Sequence, residues 1–107
     1  MDLKQYQIVL VNLDPTVGSE IKKTRPCLII SPNEMNKYLN TVIIAPMTSQ
    51  SKKYPTRVEV KHDIKTGWIV LDQIRTIDKQ RIYKTLDNLT DSEIGKVKMT
   101  IKELLVD

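Results

Sequence analysis

Two short runs of this sequence are apolar on successive residues, and this feature restricts most strongly how the chain can fold. Tyr6–Leu13 and Pro26–Ser31 are built mainly from apolar and β-branched side chains. Asp14-Pro15 follows the first run and Pro32-Asn33 the second, and both pairs are typical of turns. A strand that is apolar on both faces must be covered on both faces. The two runs are therefore predicted to be central strands of a sheet or barrel.

Further segments of the strand type follow along the chain. They are Thr41–Ala45, Thr56–Lys61, Gly67–Ile74 and Ile82–Leu86. Thr56–Lys61 alternates apolar and polar side chains, as a half-exposed strand does, whereas Gly67–Ile74 is another apolar run. Asn33–Tyr38 is expected to form a short helical turn. Short strands at this spacing are typical of a sandwich or a barrel.

The end of the chain has a helical period. One helical face carries Ile94, Val97, Ile101, Leu104 and Leu105. Thr90 and Glu93 form a capping box, and Leu89 and Ile94 are placed as a hydrophobic staple, so a helix is predicted from about Asp91 to Val106. The predicted fold is mainly β with a C-terminal helix: one domain over residues 1–107, with the helix packed on a small twisted barrel.

Composition limits the classes of function. A net charge of +4 and a pI of about 9.2 favour an anionic partner, without choosing among RNA, DNA and an acidic protein. No apolar stretch is long enough to span a membrane, and the first residues lack the apolar core of a signal peptide, so a cytoplasmic location is expected. One cysteine and one histidine exclude an internal disulfide and disfavour a zinc site. No cofactor is expected.

The first of three polar segments that interrupt the strands is the connection from Asp14 to Pro26. It carries Ser19, Glu20 and Arg25. Arg25 directly precedes a proline, which favours an extended backbone there. An arginine at the mouth of a buried strand can hold a phosphate through two hydrogen bonds. The alternative is a solvated loop with a surface ion pair.

The second segment ends an apolar strand in Thr48, Ser49 and Gln50, followed by two lysines. Hydroxyl, amide and ammonium donors suit contacts to phosphate and sugar, although an ordinary polar turn has the same composition.

The third segment contains Asp72, Gln73 and Arg75. Asp72 interrupts an otherwise apolar run, so its carboxylate needs a partner, which Arg25 or Arg75 is expected to supply. A structural ion pair inside the barrel is the alternative reading.

Two further residues are expected to be structural. Cys27 lies in an apolar run and is predicted to be an inert core thiol. Trp68 is predicted to be a core residue, with base stacking as the alternative.

Together, these segments resemble the signature blocks of the MazF/PemK toxin family, the endoribonucleases of type II toxin–antitoxin modules. The blocks are Gly18-Ser19-Glu20 with Arg25-Pro26, then Pro46-Met47-Thr48-Ser49, then Asp72-Gln73-Ile74-Arg75-Thr76-Ile77-Asp78. The resemblance spans nearly the whole chain in order and spacing. It implies an SH3-like barrel of the plasmid-maintenance-toxin or CcdB-like type, a homodimer, and an acidic, flexible antitoxin as partner.

The resemblance also implies a chemistry and a set of site residues. Family members cut single-stranded RNA at short sequence motifs without a metal, leaving a 2′,3′-cyclic phosphate and a 5′-hydroxyl. The family's catalytic positions correspond here to Arg25, Thr48 and Glu20. Further RNA contacts are expected from Ser19, Ser49, Gln50, Asp72, Gln73 and Arg75.

Two positions depart from the pattern of some relatives. Ser19 stands where those relatives have a histidine, and Val70 where they have an arginine. An acid–base scheme that uses that arginine therefore does not transfer unchanged. The general base is expected to be a carboxylate, either Glu20 or Asp72, while Arg25 stabilises charge on the phosphate.

Two other classes of function stay open at this point. A gyrase-poisoning toxin on the same barrel acts through an aromatic residue near the end of the chain, whereas this sequence ends Leu104-Leu105-Val106-Asp107. A nucleic-acid-binding barrel without catalysis is the other alternative. Cleavage of a single-stranded RNA in the presence of EDTA distinguishes the nuclease from both.

Overall fold

Antiparallel strands and one long C-terminal helix make up most of the structure, a computed structural model that describes residues 2–13, 24–50, 53–62 and 65–106. The elements are β1 (Gln7–Asn12), β2 (Thr24–Ile29), α1 (Asn33–Tyr38), β3 (Thr41–Thr48), β4 (Arg57–His62), β5 (Lys65–Val70), β6 (Arg75–Asp78), β7 (Ile82–Asn88) and α2 (Asp91–Leu105). Short 3-10 turns, Leu71–Gln73 and Lys79–Arg81, precede and follow β6. The prediction of a mainly β fold with a C-terminal helix is confirmed.

One predicted strand is wrong in its extent. The apolar run Gly67–Ile74 was expected to be a single strand, but β5 ends at Val70 and the chain turns through Leu71–Gln73. After that turn, β6 is a separate strand that sequence analysis did not predict. The difference matters for the site, because Asp72 lies in the turn and is exposed rather than inside a strand.

Strand β3 holds the sheet together. The strands follow the order β4-β5-β3-β2-β1-β7, and β6 pairs with β3 beside this path. One edge of β3 pairs with β2 through residues 44–46, whereas the other edge is shared between β6, at residues 41–44, and β5, at residues 47–48. All of these pairings are antiparallel, so β3 belongs to both halves of a twisted, barrel-like sheet.

The two faces of the central strands are both buried, as the successive apolar residues predicted. On β2, Cys27 and Ile29 belong to one hydrophobic cluster, and Leu28 between them belongs to another. All three side chains are fully inaccessible to solvent. The cluster around Leu28 also contains Val97, which brings α2 onto that face of the sheet.

The start of α2 is fixed by the predicted capping box. The Glu93 N–H donates to Thr90 Oγ1 at 3.2 Å, and the Thr90 N–H donates to Glu93 Oε1 at 2.9 Å. The second oxygen of the Glu93 carboxylate accepts from the Lys61 N–H at 3.3 Å. Glu93 therefore joins the helix start to the edge strand β4.

The apolar face of α2 is covered over only part of its length. Val97 is fully buried, and Ile94 and Ile101 pack against the same core cluster. Leu104 and Leu105 continue the predicted apolar face, but they are 38% and 65% exposed. Among the described residues, no helix has both the length and the apolar character needed to cross a membrane.

We expect Thr90→Ala to lower the free energy of unfolding by about 1 kcal/mol, because the Glu93 N–H loses its acceptor at the helix start. The measurement is urea unfolding followed by circular dichroism. Thr90→Ser, which keeps the hydroxyl, is the matched control and should retain most of the stability. An unchanged urea midpoint for the alanine variant would contradict a stabilising cap.

Candidate active site

Arg25 and Thr48 lie on neighbouring strands and on the same face of the sheet. Cys27 of β2 pairs with Pro46 of β3, and extending the same register by two residues along each strand reaches Arg25 and Thr48. Side chains at alternate positions of a strand share a face, and so do side chains directly opposite each other. The register therefore puts Arg25 and Thr48 opposite each other, at the end of the β2–β3 ladder.

The hydroxyl of Thr48 is oriented by the loop that follows it. Thr48 Oγ1 donates to the Gln50 carbonyl at 3.1 Å and accepts from the Gln50 N–H at 3.3 Å. Ser49 and Gln50 are both exposed directly after the strand. A phosphate oxygen at this position can accept the hydrogen bond of the Thr48 hydroxyl in place of the Gln50 carbonyl, while the Gln50 N–H continues to donate to Thr48 Oγ1.

Arg75 adds a second guanidinium to this face. It pairs with Ile44 of β3, two residues before Pro46, and is therefore on the same side of the sheet. Arg25 and Arg75 are both exposed. Within the described ranges, neither arginine forms an ion pair with a carboxylate. Arg25 and Arg75 therefore both expose a positive charge to solvent on the same face of the sheet.

The thiol of Cys27, two residues after Arg25 on β2, is close enough to both arginines for their charges to act on it. Burial raises the pKa of Cys27 to about 12, and the charges of Arg25 and Arg75 oppose part of that rise. Cys27 Sγ also donates to the Arg25 carbonyl at 3.6 Å. The predicted inert core thiol is confirmed as fully buried, and it lies within electrostatic range of both guanidinium groups.

The expected partner of Asp72 is wrong. Its carboxylate accepts from Thr56 Oγ1 at 3.0 Å and pairs with Arg57 Nε at 3.4 Å, rather than with Arg25 or Arg75. Partial burial alone would raise the pKa of Asp72, but the Thr56 and Arg57 hydrogen bonds and the Arg57 charge outweigh it and leave the pKa below its ordinary value. A carboxylate stabilised as an anion is a poor proton acceptor.

The remaining predicted site residues fall into two groups. Gln73 is exposed beside Asp72 in the 3-10 turn, and Val70 is buried at the end of β5. Ser19 and Glu20 lie outside the residues that the structure describes.

Trp68 is a residue whose surroundings sequence analysis did not foresee. It pairs with Thr48 of β3 on one side and with Glu59 of β4 on the other. It is half-buried rather than part of the core, so the core prediction is wrong. No local sequence signal identifies this position, because the pairing with Thr48 joins residues 20 positions apart.

Comparison with solved structures identifies the class of fold as that of MazF toxins. A MazE–MazF complex (form III) from Deinococcus radiodurans matches with a TM-score of 0.81 and 25% identity, over 99% of this chain and 98% of that one. An endoribonuclease in complex with its cognate antitoxin, from a mycobacterial species, matches with a TM-score of 0.79 and 23% identity, over 98% and 94% of the two chains. The predicted SH3-like, plasmid-maintenance-toxin type of barrel agrees with this class.

Sequence comparison identifies the family. Residues 4–105 match the family of PemK-like, MazF-like toxins of type II toxin–antitoxin systems. The endoribonuclease MazF of Staphylococcus saprophyticus is 37% identical over 105 residues, which cover 92% of this chain and 88% of that protein. The chain therefore belongs to the PemK/MazF-like toxin family.

We expect Cys27 to resist alkylation by iodoacetamide at pH 8 in the native protein, because its side chain is 0% exposed and its pKa is raised to about 12. Mass spectrometry gives the extent of modification directly, since the chain has one cysteine. The same reaction in concentrated urea is the control and should go to completion. Native protein that reacts as fast as the unfolded control would contradict the buried, protonated thiol.

Proposed function

We propose that this protein is the toxin of a type II toxin–antitoxin module and acts as an endoribonuclease that cuts single-stranded RNA at short sequence motifs. The proposal rests on one observation above the others: an exposed guanidinium, Arg25, and an oriented hydroxyl, Thr48, occupy opposed positions on one face of the sheet. Both are donors of the kind that binds the non-bridging oxygens of a phosphodiester. The similarity to a staphylococcal endoribonuclease supports the same activity.

The proposed reaction uses the RNA's own 2′-hydroxyl as the nucleophile. This oxygen attacks phosphorus, the bond from phosphorus to the 5′-oxygen breaks, and the products are a 2′,3′-cyclic phosphate and a 5′-hydroxyl. The 2′-hydroxyl proton passes to a general base, and water protonates the departing 5′-oxygen. No metal ion takes part in this scheme.

Arg25 and Thr48 stabilise the charge that develops on the phosphate. Arg25 stays protonated throughout, since an arginine pKa is above about 12, and it therefore acts through its charge and its paired donors. Thr48 donates its hydroxyl to the same group. Glu20 is the proposed general base, because the hydrogen bonds to Asp72 keep that carboxylate anionic and lower its pKa.

The neighbouring polar residues are proposed to bind the RNA on either side of the cleaved linkage. Ser49 and Gln50 directly follow Thr48, and Gln73 and Arg75 come from the segment that follows β5. Ser19, which lies outside the described residues, is included on the family pattern alone. Asp72 contributes indirectly, by fixing Arg57 and Thr56 beside the RNA path.

The proposed assembly follows from the same family membership. The protein acts in the cytoplasm as a homodimer, where an acidic, flexible antitoxin binds the basic surface and blocks access of RNA. A net charge of +4 is suited to such a partner. Antitoxin complexes of a similar fold support this assignment.

We expect the purified protein to cut a long single-stranded RNA in EDTA, because the scheme needs no metal. Gel electrophoresis and sequencing of the new 5′ ends locate the cleavage sites. An oligonucleotide with 2′-deoxyribose at one mapped site should stay intact there while its all-ribose counterpart is cut. Cleavage of the deoxy linkage would exclude the internal nucleophile, and an intact transcript would point to gyrase poisoning or to binding without catalysis.

We expect Arg25→Ala and Thr48→Ala each to lower the single-turnover cleavage rate by a factor on the order of 10²–10³, the cost of losing one donor to the transition state. Lys84→Ala, an exposed cation on β7, and Thr76→Ala, at a β6 position between Arg75 and Ile77, are the matched controls and should cleave normally. All four variants should unfold cooperatively. Cleavage by Arg25→Ala within about threefold of wild type would overturn the assignment of that residue.

A further inference from the structure

A groove crosses the edge of the sheet beside the candidate active site. Its volume is about 590 Å³, within the range of about 300–1,000 Å³ found for clefts that bind small ligands. It lies between the turn that precedes β4, the β4–β5 hairpin and the outer side of α2. Among the residues that line it are Lys53, Tyr54, Arg57, Trp68, Lys96 and Met99.

Trp68 connects the lining of the groove to the strands that carry the catalytic pair. This residue pairs with Thr48 of β3, and so occupies the next strand position along the row that contains Arg25 and Thr48. Cross-strand partners share a face of the sheet. A polynucleotide held at Thr48 therefore reaches Trp68 without crossing to the other side of the molecule.

The lining of the groove combines aromatic and apolar surface with positive charge. Tyr54 is 47% exposed, Met99 is 65% exposed and Trp68 is half-buried, and all three line the groove. Lys53 and Lys96 are both exposed. This combination is the one that proteins use to bind single-stranded nucleic acid, with bases on aromatic rings and phosphates on cations.

Two charged residues of the groove are less suited to bind phosphate. Arg57 is paired with Asp72 at 3.4 Å, and its guanidinium lies 4.9 Å from the centroid of the Tyr54 ring. Glu59 is exposed next to Trp68 and repels anions locally. Because the Arg57 guanidinium lies over the ring of Tyr54, we assign the stacking of a base to Trp68.

We propose that this groove binds a nucleotide of the single-stranded RNA that flanks the cleaved linkage, with its base on Trp68 and its phosphates near Lys53 and Lys96. The inference rests on the proposed RNA-cleaving function and extends it, because it assigns a specificity-determining subsite outside the catalytic pair. An acidic polypeptide is the competing occupant, which the experiments below exclude or identify.

The first experiment uses Trp68 as its own probe, since it is the only tryptophan of the chain. The titrant is an oligoribonucleotide that spans a mapped cleavage site and carries 2′-deoxyribose at the attacking position, so that it is bound but not cut. Stacking predicts saturable quenching of Trp68 fluorescence, with a midpoint equal to that of RNA binding followed by fluorescence anisotropy of a labelled oligonucleotide. Binding without any change at Trp68, or a change produced only by poly-L-glutamate, would overturn the proposal.

The second experiment separates the subsite from the catalytic step. Trp68→Ala should raise KM for the mapped RNA about tenfold and leave kcat within about twofold, whereas Trp68→Tyr should recover most of the difference. Lys96→Ala should raise KM by a smaller factor, and that factor should fall with added salt. Lys98 is an exposed cation on the same helix outside the groove lining, and Lys98→Ala is the control that should leave KM unchanged.

Truncated substrates identify the bound nucleotide. Shortening the RNA from one of its two ends should raise the KM of the wild-type enzyme by the same factor as the Trp68→Ala substitution does. On that shortened RNA, the KM of the Trp68→Ala variant should not rise any further. Equal KM values for wild type and Trp68→Ala on every RNA would reject the subsite while leaving the nuclease intact. Absence of any RNA cleavage by the wild type would instead reject the proposed function and the subsite with it.

Discussion

Backbone hydrogen bonds between β3 and its three neighbours determine where the functional groups of this protein lie. One edge of β3 is occupied by β2, and the other is divided between β6 and β5. The position of Pro46 opposite Cys27 fixes the register of the β2–β3 ladder. A shift of one residue in that register would move Thr48 to the opposite face from Arg25, because side chains alternate between faces. The proposed catalytic pair therefore depends on sheet pairing before it depends on any side-chain contact.

The apolar core beneath the site strengthens the electrostatic effect of the arginines. Cys27, Ile29 and Ile44 lie on the same face of the sheet as Arg25 and Arg75, and all three are fully buried. A low-dielectric wall behind surface charges focuses their field toward solvent. The charges of both arginines also oppose the rise that burial causes in the pKa of the Cys27 thiol. An anion above this face meets two cations that have no competing carboxylate among the described residues.

Local sequence patterns predicted the parts of the structure that local interactions determine. The two residues of the capping box, Thr90 and Glu93, are only three positions apart. The buried strand around Cys27 is recognised from its successive apolar residues alone. Long-range pairing was not predictable in this way. The partner of Asp72 is Arg57, 15 positions earlier, because an unforeseen 3-10 turn directs the carboxylate toward the start of β4. Likewise, no residue type indicated the left-handed conformation of Tyr6, at φ 69°, before β1.

The family resemblance identified residues by their place in sequence blocks, whereas the structure divides the same residues by what they touch. Arg25, Thr48 and Arg75 share one face, while Asp72 supports the turn beside the groove through Thr56 and Arg57. Because Asp72 compensates the charge of Arg57, that arginine contributes shape and ring stacking rather than attraction for phosphate. In the proposed subsite, attraction for phosphate is then left to Lys53 and Lys96, which are both exposed and carry their charge on a long, flexible stem. In the proposed subsite the arginine and the lysines therefore serve different purposes: Arg57 shapes the groove for a base, and the two lysines bind the phosphates of the RNA backbone.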